Sequence, residues 1–215
     1  ANDSLSPYYD GDTLGTGWLT SVKDQYPHST CYAFSVSGQV EAITNLFAND
    51  MMDFDLSERE LVICLGSSGG CDGGMTDDAL TYVRYNGVVL ESCFPYEEMN
   101  CTQDSCTDKC TDSDTLKIEN YSMIDEENFD DIRLALIKKG PLNVSYIASK
   151  GSNRGGHSVV LCGYEFDNSD SSCIWITKNS MGPEDDEGVF GICKFKVDHF
   201  IEDKVFSIST PIKIN

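Results

Sequence analysis

Cys31 lies where a loop becomes a helix, in the stretch Val22-Lys-Asp-Gln-Tyr-Pro-His-Ser-Thr-Cys-Tyr-Ala-Phe-Ser-Val36. Ser29 and Thr30 are both candidate N-caps, so the thiol falls in the first turn, where unpaired N–H groups and the helix dipole favour an anion. A cysteine in that setting is held below its ordinary pKa and becomes a nucleophile at neutral pH. The alternative for such a residue is a small, inert core side chain, so the rest of the chain has to supply partners. Three histidines are available as a base: His28 in the same loop, His157 after Arg154-Gly-Gly156, and His199 among charged residues where a surface position is expected. An imidazole beside the thiol can take its proton, and a neutral amide can hold the ring through its other nitrogen. Asn179 can supply that amide, because it ends the strand that hairpins with the one His157 begins. Gln25, six residues before Cys31, can present its amide as an oxyanion donor beside the Cys31 N–H.

These groups need a helix on one wall and strands on the other. Ala33, Val36, Val40, Ile43 and Phe47 recur at helical spacing, predicting a buried helix from about Cys31 to Asn49. Ser57-Glu-Arg-Glu60 reads as a capping box before a short second helix. A third starts at Thr76, Asp77 and Asp78, turns Ala79, Leu80 and Val83 inward and stops at Gly87; a fourth carries Phe129, Ile132, Leu136 and Ile137. Between the second and third, Gly69-Gly-Cys-Asp-Gly-Gly74 is irregular, with glycines that let backbone approach a ligand or another segment. Strands are predicted at Leu142–Ile147, Ser158–Glu165, Cys173–Asn179, Gly188–Val197 and Lys204–Ser209, with a turn at Asp167–Ser172. Helices dominate the first half and strands the second, which argues an α+β fold of two lobes with a groove between them.

Composition narrows the function classes. A formal charge of -21 over 215 residues argues against nucleic acid and anionic membrane surfaces as partners, since both reward Lys and Arg. No window approaches the roughly 20 apolar residues that span a bilayer, and Ala1 opens directly in polar sequence, so a mature form is expected. Ten cysteines, with Cys93, Cys101, Cys106 and Cys110 close together in a polar stretch, suggest disulfides and an oxidising compartment. A zinc reading of the cluster finds no paired CxxC spacing and no nearby histidine in the sequence. Sequons at Asn2, Asn100, Asn120 and Asn143 fit secretory passage, although Asn143 sits in a predicted core strand where a glycan has no room.

With these residues in view, the chain resembles the papain-like cysteine proteases over nearly its whole length. The likeness rests on Val22-Lys-Asp-Gln25, Cys31-Tyr-Ala-Phe-Ser35, Leu56-Ser-Glu-Arg-Glu-Leu-Val62, Gly70-Cys-Asp-Gly-Gly74, Phe94-Pro-Tyr96, Gly156-His-Ser-Val-Val160 and Lys178-Asn-Ser180. His157 and Asn179 follow Cys31 by 126 and 148 residues, close to the roughly 130–150 of that family. The resemblance implies a single domain over 1–215, with a mainly helical lobe to about 115 and a β-barrel-like antiparallel lobe over 116–215. It implies Cys31 as nucleophile, His157 as acid/base, Asn179 as ring orienter and Gln25 as oxyanion donor. Gly73, Gly74 and Gly156 would hold an extended peptide, while Met75, Thr76, Ser158 and Phe206 or Ile208 would shape an apolar-preferring pocket for the second side chain before the scissile bond. A monomeric endopeptidase acting on peptides or proteins is implied, freed from an inhibitory propeptide, secreted or lysosomal/vacuolar, with no cofactor or metal.

Four departures from the family pattern are visible. His28 and Ser29 stand where a cysteine and a glycine are usual, which deprives Cys71 of its customary partner. Cys64–Cys101 is expected to persist, Cys71 to find Cys93 or stay reduced, Cys173 to pair with Cys193, and Cys162 to remain free. Met181 replaces a tryptophan that shields the His–Asn bond, and Tyr32 replaces the commoner tryptophan after the nucleophile. The 16 positions from Pro141 to His157 are roughly half the usual number, so the groove should be more open on the leaving-group side. No histidine-bearing occluding loop is found, which leaves exopeptidase activity without support. Two other classes remain: a catalytically weak homologue serving as a binding protein, and a metal hydrolase, against which the absence of an HExxH pattern counts. For a chain this acidic working in an acidic compartment, stability should be greater near pH 5 than near pH 8.

Overall fold

The computed structural model describes residues 17–124, 128–147, 156–167, 169, 173–182, 191–195, 205–209 and 211–214. Helix α1 (Cys31–Ala48) buries Ala33, Val36, Val40 and Ile43, as their spacing predicts. Phe47 does not follow: it lies in the last turn and lines a surface hollow with Tyr121 and Ile208. Polar residues of α1 are buried as well, because neighbouring backbone receives them. Gln39 Nε2 donates to the carbonyls of Pro141 (3.0 Å) and Phe206 (2.9 Å), and Asn45 Nδ2 to that of Met52 (2.8 Å).

Helices α2 (Glu58–Cys64) and α3 (Thr76–Tyr85) pack against α1. The predicted capping box at α2 is half made. Ser57 Oγ accepts from the Glu60 N–H (3.1 Å), but the Glu60 carboxylate turns to the Val89 N–H (2.8 Å) and the Tyr82 hydroxyl (2.9 Å). Ala79, Leu80 and Val83 of α3 are fully buried, and Gly87 ends the helix at φ +84°.

The second half is built on α4 (Phe129–Lys139) and an antiparallel sheet. On α4, Ile132 and Leu136 face the core as predicted; Ile137 is exposed, and Ala135 takes the inward place. The strands are β1 (Val88–Val89), β2 (Thr115–Ile118), β3 (Tyr121–Met123), β4 (Leu142–Ile147), β5 (Gly156–Phe166), β6 (Cys173–Lys178), β7 (Ile192–Phe195), β8 (Val205–Ile208) and β9 (Pro211–Ile214). Six of them run in the order β3-β8-β4-β5-β6-β7, an open sheet among the described residues rather than a closed barrel. A second sheet, β1-β2-β9, returns the C-terminal strand to the helical half, a crossing that the predicted strands did not include. The predicted β5–β6 hairpin is present. Most of its turn, the ends of the strand predicted over 188–197, Asn2 and His199 lie outside the described residues. Helix α1 packs on β5 and β4 on its other side, so it separates the helical core from the sheet.

The disulfides differ from those expected. Cys64 pairs with Cys106, Cys71 with Cys101 and Cys93 with Cys110. The cause is the path of the 100–110 segment. Arg59 binds Asp104 (2.7 Å) and Lys109 binds Glu60, which lays the turn at Cys106 against the end of α2 and leaves Cys101 to reach Cys71. Cys93 closes instead on Cys110, whose N–H it accepts at 3.4 Å. Cys173 is free, because the β6–β7 register sets Cys193 opposite Thr177, four residues away along the strand. Cys162 is free and fully buried, and burial pushes its thiol up to about 12. Of the sequons, Asn100 and Asn120 are exposed and Asn143 is fully buried in β4.

A buried charge cluster joins α1 to both walls of the groove. Lys23 Nζ donates to Glu41 (2.8 Å) and Glu58 (2.7 Å) and also pairs with Asp55. Lys178 Nζ donates to Thr20 Oγ1 (2.8 Å), whose hydroxyl in turn binds Glu41. Two cations thus face three carboxylates. Burial would raise Glu41, but Lys23 and Lys178 hold it below the usual range; burial and the neighbouring carboxylates push Glu58 up to about 8 despite Lys23. Between about pH 4.5 and 8 the folded chain therefore keeps a proton on Glu58 that the unfolded chain releases, and stability falls as pH rises through that window. Melting at matched ionic strength is expected at least about 3 °C higher at pH 5 than at pH 8, with the difference shrinking in Glu58→Gln. Equal or reversed temperatures would contradict this assignment. Glu41 acts in the opposite sense: its contribution is lost as pH falls below the usual carboxylate range.

Candidate active site

Cys31 is the first residue of α1, so its N–H has no intrahelical acceptor. Thr30 occupies the cap position without capping; its hydroxyl pairs with that of Tyr96 at 2.7 Å. Across the groove, β5 presents His157 and the end of β6 presents Asn179. His157 Nε2 donates to Asn179 Oδ1 at 2.7 Å, which leaves Nδ1 for the sulfur of Cys31. Burial alone would raise the thiol. The hydrogen bond and charge of His157, with the backbone N–H groups of Ser158 and Tyr32, outweigh it and hold Cys31 below its ordinary value. Burial would likewise lower His157, but Cys31 and Asn179 hold it above the usual imidazole range. These opposed shifts favour proton transfer from Cys31 to His157, the direction that leads to a thiolate–imidazolium pair. His157 and Asn179 are 7% and 8% exposed, so their bond is screened from water even though Met181 is 48% exposed.

Gln25 lies six residues before Cys31 in a loop that the far wall holds. Its N–H donates to the Ser180 carbonyl (2.8 Å), and Ser180 Oγ donates to Gln25 Oε1 (2.6 Å). The Tyr96 hydroxyl donates to the Gln25 carbonyl (2.8 Å), while Gln25 Nε2 gives one proton to the His28 carbonyl (2.9 Å) and keeps another. His28 is not placed as a base: its ring lies 3.8 Å from Cys101 Sγ and edge-on to Tyr96. Tyr96 and Ser180 as supports of Gln25 were not foreseen. Their only sequence signal was membership of Phe94-Pro-Tyr96 and Lys178-Asn-Ser180.

From Cys31 a hollow of about 440 Å³ runs between Gly73, Gly74, Met75 and Thr76 on one side and Gly156 and Ser158 on the other. Six of the predicted groove residues therefore line one space. The Gly74 backbone rests on the Tyr32 ring, where an added Cβ would stand 2.5 Å from Cζ, and the Tyr32 hydroxyl accepts the Gly70 N–H at 2.9 Å. Tyr32 thus props up the glycine loop. Phe206 and Ile208 do not shape the hollow; both are buried in the helical core. Ser145, which the β4–β5 register sets opposite Ser158, lines it instead.

The model of the papain family cysteine proteases matches residues 9–206. Thiol protease SEN102 of Hemerocallis sp. is 31% identical over 188 residues, covering 80% of this chain and 50% of that protein. Cathepsin K of Gallus gallus is 32% identical over 187 residues, 78% of this chain and 53% of that one. Among solved structures, the digestive procathepsin L2 proteinase of Tenebrio molitor larval midgut superposes with a TM-score of 0.71 at 26% identity. That match covers 90% of this chain and 65% of the other. The chain spans about half the length of the curated relatives it matches.

Proposed function

The chain belongs to the papain family of cysteine proteases, and from that premise we propose that it is an endopeptidase cleaving peptide bonds through Cys31 and His157. The observation that carries this reading is the hydrogen-bonded run from Cys31 through His157 to Asn179 at the first turn of α1. The thiolate attacks the peptide carbonyl carbon. The oxyanion so formed is received by the Cys31 N–H and the free proton of Gln25 Nε2, donors held ready before the charge develops. His157 then protonates the leaving amine, giving a thioester, and afterwards takes a proton from the water that hydrolyses it. Gly74 and Gly156 fit an extended peptide backbone at the two edges. The charge of -21 fits protein or peptide partners rather than polyanions, and no described helix is long and apolar enough to cross a membrane. The three disulfides support a secretory-pathway location. Relatives named as procathepsins support release from an inhibitory propeptide. We read residues 1–215 as one monomeric domain.

Labelling with a thiol-directed peptidyl epoxide tests the proposal. Cys31 should be modified in the folded protein and Cys31→Ala should not; failure to label or to cleave an unfolded protein anywhere over pH 4–8 would overturn it. The acid/base assignment carries a separate expectation. Because the hydrogen bond to Asn179 favours charged His157, Asn179→Ala should lower the imidazole pKa. The alkaline limb of kcat/KM then moves to lower pH, with roughly a 10- to 100-fold loss at the optimum. An unmoved limb would mean that Asn179 does not act on the ring.

A further inference from the structure

We infer that the hollow beside Cys31 selects a substrate side chain carrying hydrogen-bond donors at its tip, such as glutamine, lysine or arginine, over an apolar one. This rests on the peptidase reading and names the residue class the site would take two positions before the cleaved bond. It replaces the apolar preference that the family resemblance implied.

The floor carries the argument. Thr76 Oγ1, Ser158 Oγ and Ser145 Oγ form a chain, with Ser158 3.3 Å from Thr76 and 2.8 Å from Ser145. All three side chains are buried, between 3% and 7% exposed. Each hydroxyl brings one proton and two lone pairs, so two mutual bonds leave the set richer in acceptors than in donors. A leucine pressed onto this floor would strip water from those lone pairs and return nothing, leaving buried acceptors unpaired. An amide, ammonium or guanidinium group would satisfy them. Asp72 at the exposed rim, and an overall charge of -21, add attraction for a cation. Among the described residues, Met75 is the sole long apolar side chain in the lining, and at 47% exposed it stands at the mouth. Thr76 at the start of α3 and Ser145 and Ser158 on paired strands are anchored in regular elements, so the floor is preorganised.

Binding to Cys31→Ala reads the inference without requiring turnover. Three fluorescent peptides, identical except for leucine, glutamine or arginine two positions before the scissile bond, are compared by anisotropy. Glutamine and arginine peptides should bind at least about fivefold tighter than the leucine peptide. Thr76→Val combined with Ser145→Ala should erase or reverse that ranking, while Ser145→Thr, which keeps a hydroxyl, should retain it. A leucine preference, equal binding of all three, or a ranking unchanged by removal of the hydroxyls would overturn the inference. Parallel kcat/KM values on the parent chain separate the two readings. Ranked binding without cleavage would sink the peptidase reading alone, and cleavage with leucine best would sink the pocket assignment alone.

Discussion

His157→Ala is expected to hydrolyse peptide amides at least about 10⁴-fold more slowly than the parent chain, while melting within about 4 °C of it. The loss is large because one substitution removes three things together. Cys31 loses the partner that offsets its burial, the leaving amine loses its acid, and the attacking water loses its base. The stability change is small because Asn179 Oδ1 still accepts the Ser180 N–H at 2.9 Å. Cys31→Ala should be as severe. The double variant should be hardly worse than either single one, since residues that act as a unit are grossly non-additive. Independent, multiplying losses would mean that the two groups do not share a step, and more than about a tenth of parental activity in His157→Ala would remove histidine from the chemistry.

The second large effect belongs to a residue that touches no substrate. Glu41→Ala is expected to cost about 3–5 kcal/mol, read as a fall in denaturation midpoint at unchanged slope. Glu41 is fully buried and receives Lys23, Thr20 and the Leu56 N–H (2.9 Å). Its removal would leave Lys23 with two less favourable carboxylates and Lys178, already held below its ordinary range by burial, with no close anion. Catalysis should suffer as well. Lys23 lies two residues before Gln25 and Lys178 one before Asn179, so the carboxylate on the Cys31 helix clamps the loop and the strand end that would supply the oxyanion donor and the ring orienter. Replacing Glu41 by glutamine, which keeps the shape and loses the charge, should fall between parent and alanine. A parental midpoint for Glu41→Ala would show that the cluster contributes nothing net.

The candidate catalytic constellation was legible because each member sits inside a local pattern: a thiol at a helix start, an amide six residues earlier, a histidine and an asparagine on paired strands. Local patterns also marked the helices, since Leu80 or Val36 must face something apolar wherever the chain goes. What depends on the path of irregular chain was not legible. Cys101, Cys106 and Cys110 are only four or five residues apart, and which of them meets Cys64 is decided by Arg59–Asp104 and Lys109–Glu60, contacts that no spacing announces. Phe47 and Ile137 obey the helical period yet lie past the edge of what covers their helices. Ser145 and the return of β9 to the first half arise from strand register, which becomes visible only when partners are known.

With histidine at position 28, no disulfide is anchored in the Gln25 loop; Ser180, Tyr96 and the His28 carbonyl hold Gln25, and the Cys71–Cys101 bridge meets the loop only from outside, with Cys101 Sγ 3.8 Å from the His28 ring and the Cys71 carbonyl accepting the Ser29 N–H at 2.8 Å. A thiol enzyme works only while its sulfur is unoxidised, and the mercaptans that keep it so also attack disulfides. Here the reagent that reduces the nucleophile breaks none of the hydrogen bonds made by Gln25 itself, and reaches its loop only through the neighbouring Cys71–Cys101 bridge. Reduction thus bears on active-site alignment through packing against His28 and Ser29 rather than through a bond inside the loop itself.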